Sequence, residues 1–394
     1  MNDTDTAVAT VPQAEIDEAR WLLPVYAHTL IEPVWGEGIT VHTRDGRELL
    51  DFYGGHAVAL LGYRHPRLLA ALGGQAEELF FQSNSVPLAV RARAAERLVH
   101  FGPAGLTRAF LVNSGAEANE NALRLAFRHT KRNRVVALEG SFHGRTAAAA
   151  AVTWKSQGWY GFPRTPFDVT FVPRKDLDAL RAALGPDVAA VILEPVQGMG
   201  GAIEMGAEYL SAVRELTREA GALLIFDEVQ CGMGRTGQPF AAQTYGVPPD
   251  LLTTAKGIAG GFPAGAVLVS DAVGQGLKPG DMGSTFGGGP LACALIEAVI
   301  DAIEQDGLLP RVRKLSQLIR ETCQVGPVTG IQGEGFLLGL RTTRPARAIV
   351  DELLTKGILA GTSGDPNVVR LLPPLVLEEA HVAKLAQALS EVPV

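Results

Sequence analysis

Between residues 108 and 270 the chain repeats one pattern six times: a short apolar run, then a stretch with helical spacing. The runs cover 109–112, 134–138, 169–172, 189–193, 222–226 and 264–269. Runs this short, apolar throughout rather than alternating, suit strands buried on both faces. Strands separated by helices pair in parallel, because a parallel neighbour needs a crossover long enough to hold a helix. The expected fold class is therefore α/β, a mostly parallel sheet covered by helices that start near Ser114, Asp176, Ala207 and Val247. Such sheets bind ligands beyond the carboxyl ends of their strands.

The flanks differ. Alternation over 33–51 around Asp45-Gly46 predicts a hairpin or meander, and 66–79 and 87–100 read as helices. A helix from Pro290 through Asp306 leads to helices near 308–323, 344–356 and 377–391, mixed with strands over 335–340 and 368–372. At 394 residues the chain exceeds one typical core. The expected division is an N-terminal segment (1–50, its first 20 residues an arm) joining a small α+β domain (291–394), around a large domain (51–290).

A formal net charge of −7 without a dense basic cluster argues against nucleic acid as a partner. No apolar run approaches the roughly 18 residues of a membrane span, and the polar, acidic start is unlike a targeting peptide. Cys231, Cys293 and Cys323 are odd in number and widely spaced, which fits a reducing compartment and a cytoplasmic location.

The residues just past the end of each run carry the chemistry. After 109–112, Ser114 and Glu117 have capping-box spacing, and Gly115 leaves the amides of that first helical turn open to an anion; an ordinary cap reads the same way. After 134–138, Phe142 offers a flat face to an aromatic ligand and Arg145 a fork suited to a carboxylate, though a core ring and a surface arginine account for them equally. His143 has no second histidine spaced to share a metal. Glu194 and Asp227 stand at the mouths of apolar runs, where a carboxylate must be paired or used. Gly232–Gly237 matches GxGxxG but opens no helix, so the dinucleotide reading fails. Lys256, among apolar and small residues, is either a lysine reaching from the core edge to water or a desolvated nucleophile. An anion-binding helix start, an aromatic plate, a buried aspartate, a lysine nucleophile and a carboxylate-binding arginine together fit pyridoxal 5′-phosphate, an aldehyde on a protonated pyridine.

The sequence resembles the class III (ornithine/acetylornithine type) aminotransferases among the fold-type I pyridoxal-phosphate enzymes. The motifs are Asn113-Ser-Gly-Ala-Glu-Ala-Asn119, Phe142-His-Gly-Arg-Thr146, Glu194-Pro-Val-Gln-Gly198, Phe226-Asp-Glu-Val-Gln230 and Thr254-Ala-Lys-Gly257. The resemblance implies that Lys256 holds the cofactor as a Schiff base and moves the substrate proton, while Asp227 pairs with the ring nitrogen. It implies that Gly115 and Ala116 bind phosphate, that Phe142 and Val229 flank the ring, and that Gln230 contacts the ring hydroxyl. Glu228 joins the cofactor-binding set through the same motif. Thr285 would reach the phosphate of a neighbouring subunit and Ser284 would lie near the substrate, making a homodimer with shared sites. Arg145 and Arg370 would take substrate carboxylates, with Glu194 masking Arg370 when a terminal amine binds.

Within that family the chain looks closest to the acetylornithine branch. Ala151-Val-Thr-Trp154 and Arg370-Leu-Leu-Pro-Pro-Leu375 look like the variant that acts on aminoadipate semialdehyde linked to an acidic amino-group carrier protein, which Arg164, Arg174 and Lys175 would meet. The expected reaction exchanges a terminal amino group with 2-oxoglutarate/glutamate. Another pyridoxal-phosphate reaction (racemase, aminomutase or decarboxylase) and a non-catalytic cofactor-binding scaffold stand as alternatives. The chain departs from the family at Met199, where Glu is usual, at Met282, where His is common, and at Gly289, where Asn precedes the proline.

Overall fold

A computed structural model describes residues 11–394. The expected arm appears there as a helix, Gln13–Trp21; the rest of it, 1–10, lies outside the described residues. Strands β1 (Pro33–Glu37), β2 (Thr40–Thr43) and β3 (Glu48–Asp51) form the antiparallel meander. Helices Pro66–Glu78 and Ala89–Phe101 come next in the chain.

The core is a seven-stranded sheet. Its members are β4 (Arg108–Val112), β5 (Arg134–Leu138), β6 (Asp168–Val172) and β7 (Val188–Leu193). A short hairpin of β8 (Val196–Gln197) and β9 (Ile203–Glu204) intervenes before β10 (Leu223–Asp227), β11 (Leu251–Thr254) and β12 (Gly265–Val269). The order is β4-β12-β11-β10-β7-β5-β6, and β12 alone runs against the rest. All six expected runs are strands. Helices start where Ser114, Asp176 and Ala207 placed them: Ser114 Oγ accepts from Glu117 N, and the Asp176 carboxylate from Ala179 N. The helix expected at Val247 is absent. A five-residue helix, Ala241–Tyr245, ends at Gly246 in the left-handed conformation, and the chain enters β11 instead.

Side-chain alternation divides the sheet's two faces. Leu223 and Ile225 pack with Ala118, Ala122, Leu125 and Ala126 of helix Gly115–Thr130; Leu224 and Phe226 pack on the opposite side with Leu210, Val213 and helix Pro290–Gln305. The C-terminal part adds β13 (Val328–Glu334), β14 (Leu337–Thr342), β15 (Ile358–Leu359), β16 (Gly361–Thr362) and β17 (Val368–Leu371). β15 pairs in parallel with β3, tying the N-terminal meander to this region. The three cysteines are buried free thiols.

Candidate active site

A cleft of about 410 Å³ opens at the carboxyl ends of the central strands. Its walls include Gly115, Ala116, Phe142, Arg145, Glu194, Asp227, Val229, Gln230 and Lys256. Residues from different strand ends thus meet, because parallel strands deliver all their exits to one edge.

At one end lies the start of helix Gly115–Thr130. The first bond inside this helix is Ala118 N to Ser114 O, so the amides of Gly115 and Ala116 precede the ladder and remain available. Gly115 has to be glycine: a Cβ there would stand 2.7 Å from Val229 Cγ1.

At the other end Asp227 is buried, on the face that the parity of β10 assigns to it. Its Oδ2 accepts from Asn119 Nδ2 and from His143 Nδ1, both at 2.7 Å, and its Oδ1 from Val229 N at 3.0 Å. Thr253 on β11 donates to Asn119 Oδ1 at 2.7 Å, which fixes the amide so that its NH2 faces the carboxylate. Glu228, the next residue, points the other way. Its carboxylate accepts from Ala241 N and Ala242 N at the start of the short helix, where burial pushes it up to about 8. The motif placed Glu228 with the cofactor; strand alternation turns it away from the cleft.

Lys256 comes after β11 in the left-handed region (φ 50°), a conformation that costs a non-glycine residue on the order of 1 kcal/mol and needs packing to hold it. Desolvation lowers its ammonium's pKa, opposed by the negative charges of Asp227 and Glu194. Glu194 is itself raised by burial; its Oε1 accepts from Phe142 N at 2.9 Å and its Oε2 from Gly198 N at 3.4 Å. No ion pair joins it to Arg370 among the described residues; the masking expected of it belongs to the state with a terminal amine bound.

Arg370 is buried in a recess behind Gln230 and Met199. Its Nη1 donates to Gln230 Oε1 at 3.1 Å, its Nη2 donates to the Tyr53 hydroxyl at 2.7 Å, and its Nε has no acceptor. Gln230 therefore faces this guanidinium. Tyr53 is held there because Asp51 accepts from the amides of Tyr53 and Gly54, both at 2.8 Å. Arg145 is exposed at the mouth, its guanidinium 4.6 Å from the Trp159 ring centroid and 5.9 Å from that of Phe142. Ser284 accepts from Asn113 Nδ2 at 3.2 Å, while Thr285 is exposed and outside the cleft of its own chain. Met282 packs at the edge of the core, and Gly289 precedes the helix that begins at Pro290.

Sequence reasoning missed Asn119 and the role of His143. Asn119 was legible in principle: it stands one turn before Ala122 and Leu123 on the helix's buried face, a polar residue among apolar ones.

The aminotransferase class-III family model matches residues 24–392. The chain belongs to the class-III aminotransferases. It is 39% identical to the acetylornithine aminotransferase of Methanocaldococcus jannaschii, over 95% of this chain and 96% of that one. It is equally close, over the same shares, to the succinylornithine transaminase/acetylornithine aminotransferase of Pseudomonas aeruginosa. Among solved structures, the ornithine aminotransferase of Toxoplasma gondii superposes with a TM-score of 0.90 at 30% identity, covering 98% of this chain and 94% of that one. The acetylornithine aminotransferase of Elizabethkingia anophelis gives 0.86 at 28%, covering 96% and 97%. This class-III aminotransferase is accordingly a fold-type I transaminase, and its cofactor is pyridoxal phosphate. The donor set fits that group: free amides at a helix start for an anion, an anchored carboxylate for a ring cation, and a desolvated amine between them. Among the described residues no cluster suits a metal ion, and no helix is long and apolar enough to cross a membrane.

Proposed function

We propose that this transaminase moves a terminal amino group between an N-acylated ornithine or a carrier-linked lysine-type amine and 2-oxoglutarate, in arginine or lysine biosynthesis. The acetylornithine and succinylornithine activities named for its relatives support the acylated substrate. The observation that carries the reading is Arg370, a buried guanidinium behind the cleft-lining Gln230 and Met199, whose partners among the described residues are all uncharged. A cation kept dry and without a counter-ion is a binding site for a substrate carboxylate, here that of glutamate.

Bound pyridoxal phosphate supplies the electron sink for the carbon that loses its proton. The residues do the rest. The amides of Gly115 and Ala116, at the positive end of their helix, take the phosphate, with Thr285 reaching it from a second copy of the chain. Asp227, fixed by three donors, keeps the ring nitrogen protonated. Phe142 and Val229 would enclose the ring and exclude water, and Gln230, whose Oε1 accepts from Arg370, would meet the ring hydroxyl through its amide NH2. Lys256 Nζ, its proton affinity reduced by burial, would hold the cofactor and would be the group that takes and returns the substrate's proton. Arg145 receives a second carboxylate at the mouth, and Ser284 of the second copy lies near the substrate. Glu194 would have to leave the Phe142 amide to reach Arg370 when a terminal amine binds.

A homodimer in the cytoplasm is part of the proposal. Phe80, Phe81 and Phe286 are 69%, 42% and 66% exposed, and the rings of Phe81 and Phe286 lie 5.4 Å apart, an apolar patch that a partner would cover. Arg164, Arg174 and Lys175 are exposed and available to an acidic carrier protein.

The test has two parts. Lys256→Ala should abolish the near-visible absorbance of the loaded enzyme and cut turnover by at least about 10³-fold, on the scale of losing an essential catalytic group. Comparing kcat/KM for free acetylornithine with that for the carrier-linked amine then assigns the amine. A wild-type protein that stays colourless with pyridoxal phosphate, or converts neither amine, overturns the reading.

A further inference from the structure

Among the described residues, the recess around Arg370 supplies dipoles but no counter-charge. Nη1 lies 3.3 Å from Met199 Sδ as well as bonding Gln230, Nη2 bonds the Tyr53 hydroxyl, and Nε is unpartnered. The cleft's own carboxylates are committed elsewhere: Glu194 to the Phe142 and Gly198 amides, Asp227 to Asn119, His143 and Val229. The side chain at the guanidinium is thus a thioether, polarizable but uncharged and a weak acceptor. Its position is set by the backbone, since Met199 O accepts from Gly364 N at 2.7 Å.

We infer that Met199 is a specificity-determining residue: by withholding a counter-ion from Arg370, it makes the recess demand a carboxylate from the substrate itself. An amino acid such as glutamate, with a carboxylate on the carbon that bears the reacting amine, satisfies that demand. A terminal amine places a neutral methylene there, so the guanidinium either stays dry and unpaired or draws Glu194 off the Phe142 and Gly198 amides, and each course costs binding. The two half-reactions are therefore biased toward the α-amino acid, and a carboxylate at position 199 would reverse the bias. This rests on the transaminase reading above and adds which half-reaction the recess favours.

Glutarate, two carboxylates without an amine, reports on the recess without turnover. Its affinity for the cofactor-loaded enzyme is measured by calorimetry. Met199→Glu should weaken it at least ten-fold, and Met199→Gln, similar in size and uncharged, at least five-fold less than that. In stopped-flow half-reactions Met199→Glu should raise KM for glutamate with kcat little changed, and shift the ratio of kcat/KM for acetylornithine over glutamate upward at least ten-fold. Circular dichroism and cofactor absorbance confirm that both variants are folded. A smaller loss of glutarate affinity in Met199→Glu, an equal loss in Met199→Gln, or an unshifted ratio overturns the inference. Wild-type enzyme inert toward acetylornithine would refute the substrate reading instead, and glutarate would still decide this one.

Discussion

Gly115→Ala tests the cofactor end of the cleft most sharply. The added methyl would sit 2.7 Å from Val229 Cγ1 and 3.0 Å from Cγ2, against the roughly 3.5–4.0 Å at which carbons rest. Ser114 caps the helix and cannot retreat without releasing Glu117 N, so Val229 has to yield. Val229 lines the cleft, and its displacement takes room from the ring. Overpacking of this kind costs about 1–3 kcal/mol. Charged to cofactor binding, that is about 5- to 150-fold in Kd for pyridoxal phosphate, read by titrating the apoprotein and following absorbance. Val229→Ala should remove the collision, so the double variant should bind more tightly than the two single effects predict, with a coupling of about 1 kcal/mol or more. Strictly additive effects would refute the collision as the cause.

Burial pushes Glu194 up to about 7 from an ordinary 4.5. The folded chain then keeps a proton that the unfolded chain releases above pH 4.5, so this contribution is full below that value, falls as pH rises to 7, and is flat beyond. Relative to Glu194→Gln, wild-type apoprotein should lose on the order of 3 kcal/mol across that window, seen as converging or crossing Tm curves; parallel curves refute it. Gly361→Ala would put a Cβ 2.0 Å from Tyr53 Cε2 and drive the ring off Arg370, so KM for glutamate should rise about ten-fold or more while kcat holds. Introducing aspartate at both Phe81 and Phe286 should give monomers in sedimentation and remove activity; an active monomer refutes the shared site.

The sheet was legible because six of its strands lie largely between covering layers and are therefore apolar almost without interruption. β11 was not, because half of it is Thr253 and Thr254, fully buried threonines. The Thr253 hydroxyl is engaged by Asn119 and so serves Asp227, which means the site itself disguised the strand. The strand-end residues converge as expected because topology alone brings them together. Glu228 and Gln230 show where motif spacing stops informing: a motif names neighbours in sequence, and the pleat decides which of them share a face. The Arg370 recess was hidden for a different reason. Its acceptors come from residue 53, from 199 and 230, and from no local pattern.

Tyr53 and Arg370 meet across 317 positions of chain. Every wall of the cofactor cleft is encoded before β12 ends, although helix Pro290–Gln305 must still follow to cover the sheet's second face. The recess waits for β17, and its cation cannot arrive before nearly the whole polypeptide has been made. The cleft residues that would hold the cofactor are therefore encoded well before the cation that would select the substrate. The recess that reads the substrate's carboxylate is thus the last part of the site that synthesis supplies.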